Sequence, residues 1–190
     1  MFLKYKISVK IILLSLLFYI VYLLSFFFYQ LALNETSNFL GFILGMVQCW
    51  VHILFGFFIF QTFKNIRIPA RFYVQRNFET ERFFRNFGVL KYQYFLVHSF
   101  LRYANPRVYL KGRKRDYLKI FHEETKQSET SHLFSMIPTF FVQFLFLYQA
   151  AYTQFIYLTL ATLLFNVYPM LLQRKNRFLI ESRFKRLFES

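Results

Sequence analysis

All 24 Lys and Arg residues of this chain fall on one side of a membrane that its own apolar runs imply. Lys4, Lys6 and Lys10 precede the first long apolar run. Fifteen more lie between Lys64 and Lys126, and six lie between Arg174 and Arg186. The connections around Leu33 to Asn38 and around Tyr148 to Thr153 carry none. Cytoplasmic loops are the ones that retain Lys and Arg, so this distribution predicts a topology before any motif is read. Both termini and the long middle segment are expected in the cytoplasm, in a multi-pass protein of the cell (inner) membrane.

Composition points the same way. Of 190 residues, 56% are hydrophobic and 24% aromatic, more than an ordinary soluble domain carries. A net charge of +15 could mark a nucleic-acid binder. Here the charges sit between and beside apolar runs of lipid length, which fits cytoplasmic anchors facing anionic headgroups. Membrane lipids are therefore expected as partners and nucleic acid is not. Cys49 is the single cysteine, which excludes a disulfide or a cysteine-based metal site within one chain.

The hydrocarbon core is about 30 Å thick and a helix rises about 1.5 Å per residue, so about twenty apolar residues suffice to cross it. The chain is read as an all-α integral membrane protein with four transmembrane helices at about 11–33, 39–63, 133–149 and 153–172. They form a single membrane domain over 1–190. The first run is read as a retained helix, being too long for an ordinary signal peptide. The last 40 apolar residues are divided by the dip at Tyr148 to Gln154. Residues 64–131 form a cytoplasmic interfacial segment of amphipathic helix, and 173–190 a basic cytoplasmic tail.

Within the middle segment, Phe83, Phe87, Leu90 and Tyr94 follow helical spacing flanked by Arg82, Arg85 and Lys91, a pattern suited to the membrane interface. Tyr117, Leu118 and Phe121 begin another stripe, and Phe178, Phe184 and Leu187 are the expected membrane contacts of the tail. Gly41, Gly45 and Gly56 suit close helix packing. Gln48 and His52, one turn apart, should face protein or substrate and not lipid. Pro138 and Pro169 are expected to kink their helices.

Polar residues crowd at the cytoplasmic ends of the last two spans. Glu124 to His132 enters the third, and Asn166, Gln173, Arg174, Asn176 and Arg177 leave the fourth. On a helix, Thr125, Glu129 and His132 share one face. Glu129 and His132 form Glu-x-x-His, in which a carboxylate can orient an imidazole that acts as general base on a hydroxyl. A salt bridge at the helix entrance is the alternative for the same spacing. A helical di-iron site would need two such motifs and further carboxylates, and there is one, so no metal is expected. Gly-x-Ser-x-Gly is absent, which removes the serine-hydrolase class.

Glu124-Thr125-Lys126-x-Ser128-Glu129-x-x-His132 with Met136-Ile137-Pro138 resembles the core motif of the glycosyl-4,4'-diaponeurosporenoate acyltransferase family, the staphyloxanthin-type membrane acyltransferases of carotenoid biosynthesis. Asn166-Val167-Tyr168-Pro169 followed by Gln173-Arg174-Lys175-Asn176-Arg177 resembles its second motif, with Pro169 shifted by one position and Lys175 in place of the usual Tyr. The likeness covers about Phe78 to Arg177.

It implies transfer of a fatty acyl chain from a cytoplasmic donor, acyl-CoA, to a hydroxyl of a glycosylated or other lipid-like acceptor, with no cofactor beyond that co-substrate. His132 would be the base and Glu129 its orienter. Asn166, Gln173 or Thr125 would donate to the oxyanion, and Arg174, Arg177 and the run Lys111 to Arg115 would bind CoA phosphates. Glu124 and Asn176 complete the expected substrate-binding set. The competing reading is non-catalytic: an integral membrane subunit or scaffold of a larger envelope complex, with membrane-protein partners.

Overall fold

The computed structural model describes residues 16, 19–32, 34, 38–62, 68–99 and 115–184. Most of the first half of the expected first span, the outer turn at 35–37, the basic run 111–114 and the end of the tail at 185–190 lie outside the described residues. So does Leu187.

Among the described residues the chain is all-helical. The helices are α1 (Tyr19–Ala32), α2 (Asn38–Thr62), α3 (Ala70–Tyr73), α4 (Glu81–Asn86), α5 (Val89–His98), α6 (Arg115–Tyr148), α7 (Tyr152–Thr162) and α8 (Tyr168–Arg183). A π-helical turn, Leu163–Val167, joins α7 to α8. Three stretches are long and apolar enough to cross a membrane: Phe39–Phe58, Asp116–Tyr148 and Tyr152–Arg183. The described part of α1 is shorter.

Two boundaries differ from the sequence reading. Helix α6 runs unbroken through 133, and the basic tail from 173 is the continuation of the helix before it. Hydropathy marks where lipid ends, whereas a helix satisfies its own backbone in either solvent. Lys119, Glu123, Glu124, Lys126 and Gln127 are strong helix formers, so nothing at 115–132 stops α6.

Proline explains the π turn. Pro169 lies in the first turn of α8. It has no N–H to donate, and its ring crowds the carbonyl four residues back. The wider π turn just ahead of it takes up that crowding. In α6, Pro138 is accommodated inside the helix.

The chain forms two compact units, Met1–Ile66 with Ser131–Asn166, and Arg67–Thr130 with Val167–Ser190. In the first, α1, α2, α7 and the C-terminal part of α6 enclose a core that includes Tyr29, Cys49, Val142, Phe146, Leu158 and Ala161. Glycines set the approach of α2. A Cβ at Gly45 would lie 3.3 Å from the Leu158 backbone nitrogen, and one at Gly56 would lie 2.3 Å from the Ser131 carbonyl oxygen. Only a residue without a side chain lets α2 pass that close to α6.

The polar pair of α2 is satisfied inside this unit. His52 Nε2 meets Ser25 Oγ at 2.8 Å, its Nδ1 meets Thr139 Oγ1 at 2.9 Å, and Gln48 Nε2 donates to the Ser25 carbonyl at 3.2 Å. These are helix-to-helix bonds among α1, α2 and α6. Outside, Phe39, Phe57, Phe58, Phe140 and Phe144 are exposed, an apolar surface too large for a water-facing domain.

The second unit holds α3, α4, α5, the N-terminal part of α6, and α8. Its cores are Phe84, Val89, Leu96 and Leu172, and Leu118, Phe121 and Ile180. The single helix expected over Phe83 to Tyr94 is two helices. Gly88 adopts φ +70°, and the amide of Phe87 bonds the Phe83 carbonyl, so α4 ends there and α5 restarts at Val89. The expected stripe is left largely outside, with Phe87, Leu90 and Tyr94 exposed, while Phe84 and Leu96 supply the core. Phe178 and Phe184, expected to meet lipid, pack against the two cores of this unit.

Candidate functional site

The expected site residues fall into two polar clusters, one in each unit. In the first unit, Asn166 sits inside the π turn and is completely buried. Its Oδ1 meets His132 Nδ1 at 3.0 Å and Ser135 Oγ at 2.5 Å, whose one proton is shared with the His132 carbonyl at 2.7 Å, while its Nδ2 points to Cys49 Sγ at 3.5 Å. An amide oxygen only accepts hydrogen bonds, so Nδ1 carries the imidazole proton and Nε2 keeps its lone pair. His132 is half-buried, and among the described residues Nε2 has no hydrogen-bond partner. A neutral imidazole with one nitrogen fixed and the other open is the form a general base requires.

In the second unit, Glu129 is completely buried and binds two guanidinium groups of α8. Arg174 Nε donates to its Oε1 at 2.6 Å, and Arg177 Nη2 donates to its Oε2. Arg174 and Arg177 are three residues apart, which places both on one face of α8. Arg174 also donates through Nη1 to Glu79 Oε1 at 2.6 Å and through Nη2 to the Phe72 carbonyl at 2.8 Å. Glu79 in turn accepts from the Arg76 backbone N–H at 2.8 Å, which fixes the turn between α3 and α4. Two carboxylates thus balance two guanidinium groups in a buried, charge-assisted network.

The aromatic pair of α3 covers this network. The Arg174 guanidinium lies 5.3 Å from the Phe72 ring centre, and that of Arg177 lies 5.4 Å from the Tyr73 ring centre. Tyr73 donates its hydroxyl to Thr130 Oγ1 at 2.5 Å, because the Thr130 proton is committed to the Lys126 carbonyl. Burial pushes the Tyr73 phenol above its ordinary pKa, which keeps that donor proton in place. One atom of the network lacks a partner: Arg177 Nη1 is buried and has no hydrogen bond among the described residues.

The remaining expected residues are placed as follows. Thr125 is buried and donates to the His122 carbonyl of its own helix at 2.6 Å. Gln173 and Asn176 are buried in the second unit, and Glu124 is half-buried on α6. Lys175 donates to Gln93 Oε1 at 2.5 Å. No cluster of three or more His, Cys, Asp or Glu side chains that could hold a metal occurs among the described residues.

The sequence reading gave Glu129 the task of orienting His132. In the structure Glu129 holds Arg174 and Arg177, and the group bound to the His132 ring is Asn166. Ser135, Glu79, Phe72 and Tyr73 were missed. Ser135 follows His132 by three residues on α6, a spacing that could have revealed it. Glu79, Phe72 and Tyr73 lie about a hundred residues before their arginine partners, and no local spacing signals that pairing.

The two clusters contain the two motifs singled out in the sequence. The family model for glycosyl-4,4'-diaponeurosporenoate acyltransferase matches residues 69–186. No curated protein and no solved structure gives a significant match to the chain. With more than half of its length matched, including Glu124 to His132 and Asn166 to Arg177, the chain belongs to the glycosyl-4,4'-diaponeurosporenoate acyltransferase family.

Proposed function

We propose that this protein is a membrane-embedded acyltransferase that moves a fatty acyl chain from acyl-CoA in the cytoplasm to a hydroxyl of a glycosylated or other lipid-like acceptor. The observation that carries the reading is the His132–Asn166 pair, which holds Nδ1 protonated and leaves Nε2 open. Nε2 takes the acceptor's hydroxyl proton as the oxygen attacks the thioester carbonyl. The tetrahedral intermediate collapses with loss of CoA thiolate, and the imidazolium returns the proton to that thiolate. Family membership supports the reaction class.

The expected readout is chemical. A deletion strain should lose one acylated lipid or pigment species and accumulate its deacylated precursor, and the wild-type gene should restore it. An unchanged lipid profile would exclude transfer as the cellular role and favour the scaffold reading.

The topology belongs to the same proposal: four crossings, with both termini and residues 64–131 in the cytoplasm. Its support is the absence of Lys and Arg from both short connections. Single cysteines introduced as Gly112→Cys and Thr36→Cys in a Cys49→Ala background test it with a membrane-impermeant maleimide on intact cells. Position 36 should label and position 112 should not. The reverse pattern sinks the topology.

A further inference from the structure

We infer that Cys49 and Thr162 are positioning residues for His132: they hold the Asn166 amide the way round that fixes the tautomer of the imidazole. This rests on the acyl-transfer reading above, in which His132 Nε2 is the base. Neither residue belongs to the two sequence motifs. Both lie in the first unit, with His132, Ser135 and Asn166.

A side-chain amide can sit either way round, with its oxygen and nitrogen exchanged. On the His132 side, both settings of Asn166 can be bonded. With Oδ1 facing the ring, Nδ1 carries the proton and Ser135 can donate as well. With Nδ2 there instead, the amide would donate to a bare Nδ1 and to Ser135 Oγ. The Ser135 proton would then go to the His132 carbonyl, which lies 2.7 Å away. This second setting moves the imidazole proton to Nε2 and removes the lone pair that a base needs. Ser135 serves either setting, so the choice falls to the far end of the amide.

That end meets Cys49, with Asn166 Nδ2 at 3.5 Å from Sγ. A thiol can donate its S–H or accept on sulfur, so the direction of the Cys49 proton decides which amide atom faces it. The Cys49 side chain is also hydrogen-bonded to Thr162. Thr162 Oγ1 gives its single proton to the Leu158 carbonyl, one turn back on α7, at 2.7 Å. Its oxygen is left to accept the S–H. The sulfur then offers Asn166 only lone pairs, which take Nδ2–H and turn Oδ1 to His132. Cys49 and Thr162 are both buried, which leaves water little access to either bond. One run of donors, from Asn166 through Cys49 and Thr162 to the Leu158 carbonyl, thus sets the form of the base.

The tautomer itself is the readout. Full-length protein carrying isotope-labelled histidine is reconstituted in nanodiscs at a pH that keeps the ring neutral. The ring signals of His132, assigned by their loss in His132→Ala, are read by solid-state NMR. Wild type should show the proton on Nδ1, and a proton on Nε2 overturns the inference. In Cys49→Ala the amide loses its selector. The ratio of Nδ1–H to Nε2–H forms should fall about tenfold, the upper range that one neutral hydrogen bond supports. Thr162→Val keeps the shape of the side chain and frees the S–H to donate to Asn166, so the ratio should fall further. Cys49→Ser can still donate to Thr162 and accept from Asn166, and should keep the wild-type tautomer. A general loosening of the helices would not give this pattern.

Folded Cys49→Ala and Thr162→Val proteins that both keep the Nδ1–H form overturn the inference and leave acyl transfer standing. A variant with a shifted tautomer that still restores the wild-type lipid profile to the deletion strain supports the positioning and instead removes His132 as the base. If Cys49→Ala does not fold, Thr162→Val and the wild-type spectrum decide.

Discussion

Replacing His132 by Ala should lower acyl transfer about 10²–10⁴-fold, the range that a positioned proton transfer contributes. The protein should still fold. His132 is half-buried, and Ser135 Oγ remains within hydrogen-bond distance of Asn166 Oδ1 when the imidazole is gone. Fluorescence-detected size exclusion should therefore show a wild-type elution profile, while the complemented deletion strain accumulates unacylated acceptor. A folded His132→Ala protein that restores the wild-type lipid profile cannot be using His132 as its base. That result would turn preference to the scaffold reading, with the motif kept as a packing element.

Glu129→Ala should behave in the opposite way, damaging stability first. Both carboxylate oxygens are engaged by guanidinium groups, and Glu129 and Arg177 are almost fully buried. Removing the carboxylate leaves two guanidinium charges with only Glu79 as counter-charge. Breaking a buried pair in this way typically costs about 3–5 kcal/mol, mostly because of the uncompensated charge that remains. Glu129→Gln should fall between, since its amide oxygen can still accept one hydrogen bond but supplies no charge. Thermal unfolding of detergent-solubilised protein reads the effect directly. Were Glu129→Ala to melt with the wild type, the network would hold no structural weight, and a role for Glu129 at the substrate would become the better reading.

Much of the framework was legible because it depends on local composition. The apolar runs and the Gly41, Gly45 and Gly56 positions signalled membrane helices in close contact. The two motifs picked out His132, Glu129, Asn166, Arg174 and Arg177, and each of these proves buried or bonded in a polar cluster. Partner choice was not legible. Spacing offers Glu129 and His132 to one another as residues one turn apart, whereas tertiary packing brings each a partner with better geometry from α8 or from the π turn. The helix break at Gly88 was missed for a related reason. The stripe from Phe83 to Tyr94 keeps helical spacing across it, and periodicity does not register a single residue at positive φ.

By itself, the sequence determined the class of protein and the place to look. The length and apolarity of a helix are properties of a single segment, so they can be read before any helix meets another. The sequence marked Pro169 as a point where an ordinary helix is disturbed, but the π turn itself was not read from it. Only the tertiary structure decided what the polar residues do. The tautomer of His132 depends on which amide atom of Asn166, 34 residues away, faces the ring. Arg174 finds Glu79 across 95 residues. Hydrogen bonds and ion pairs act over about 3 Å, so their energies are set by where the helices come to rest and not by order along the chain.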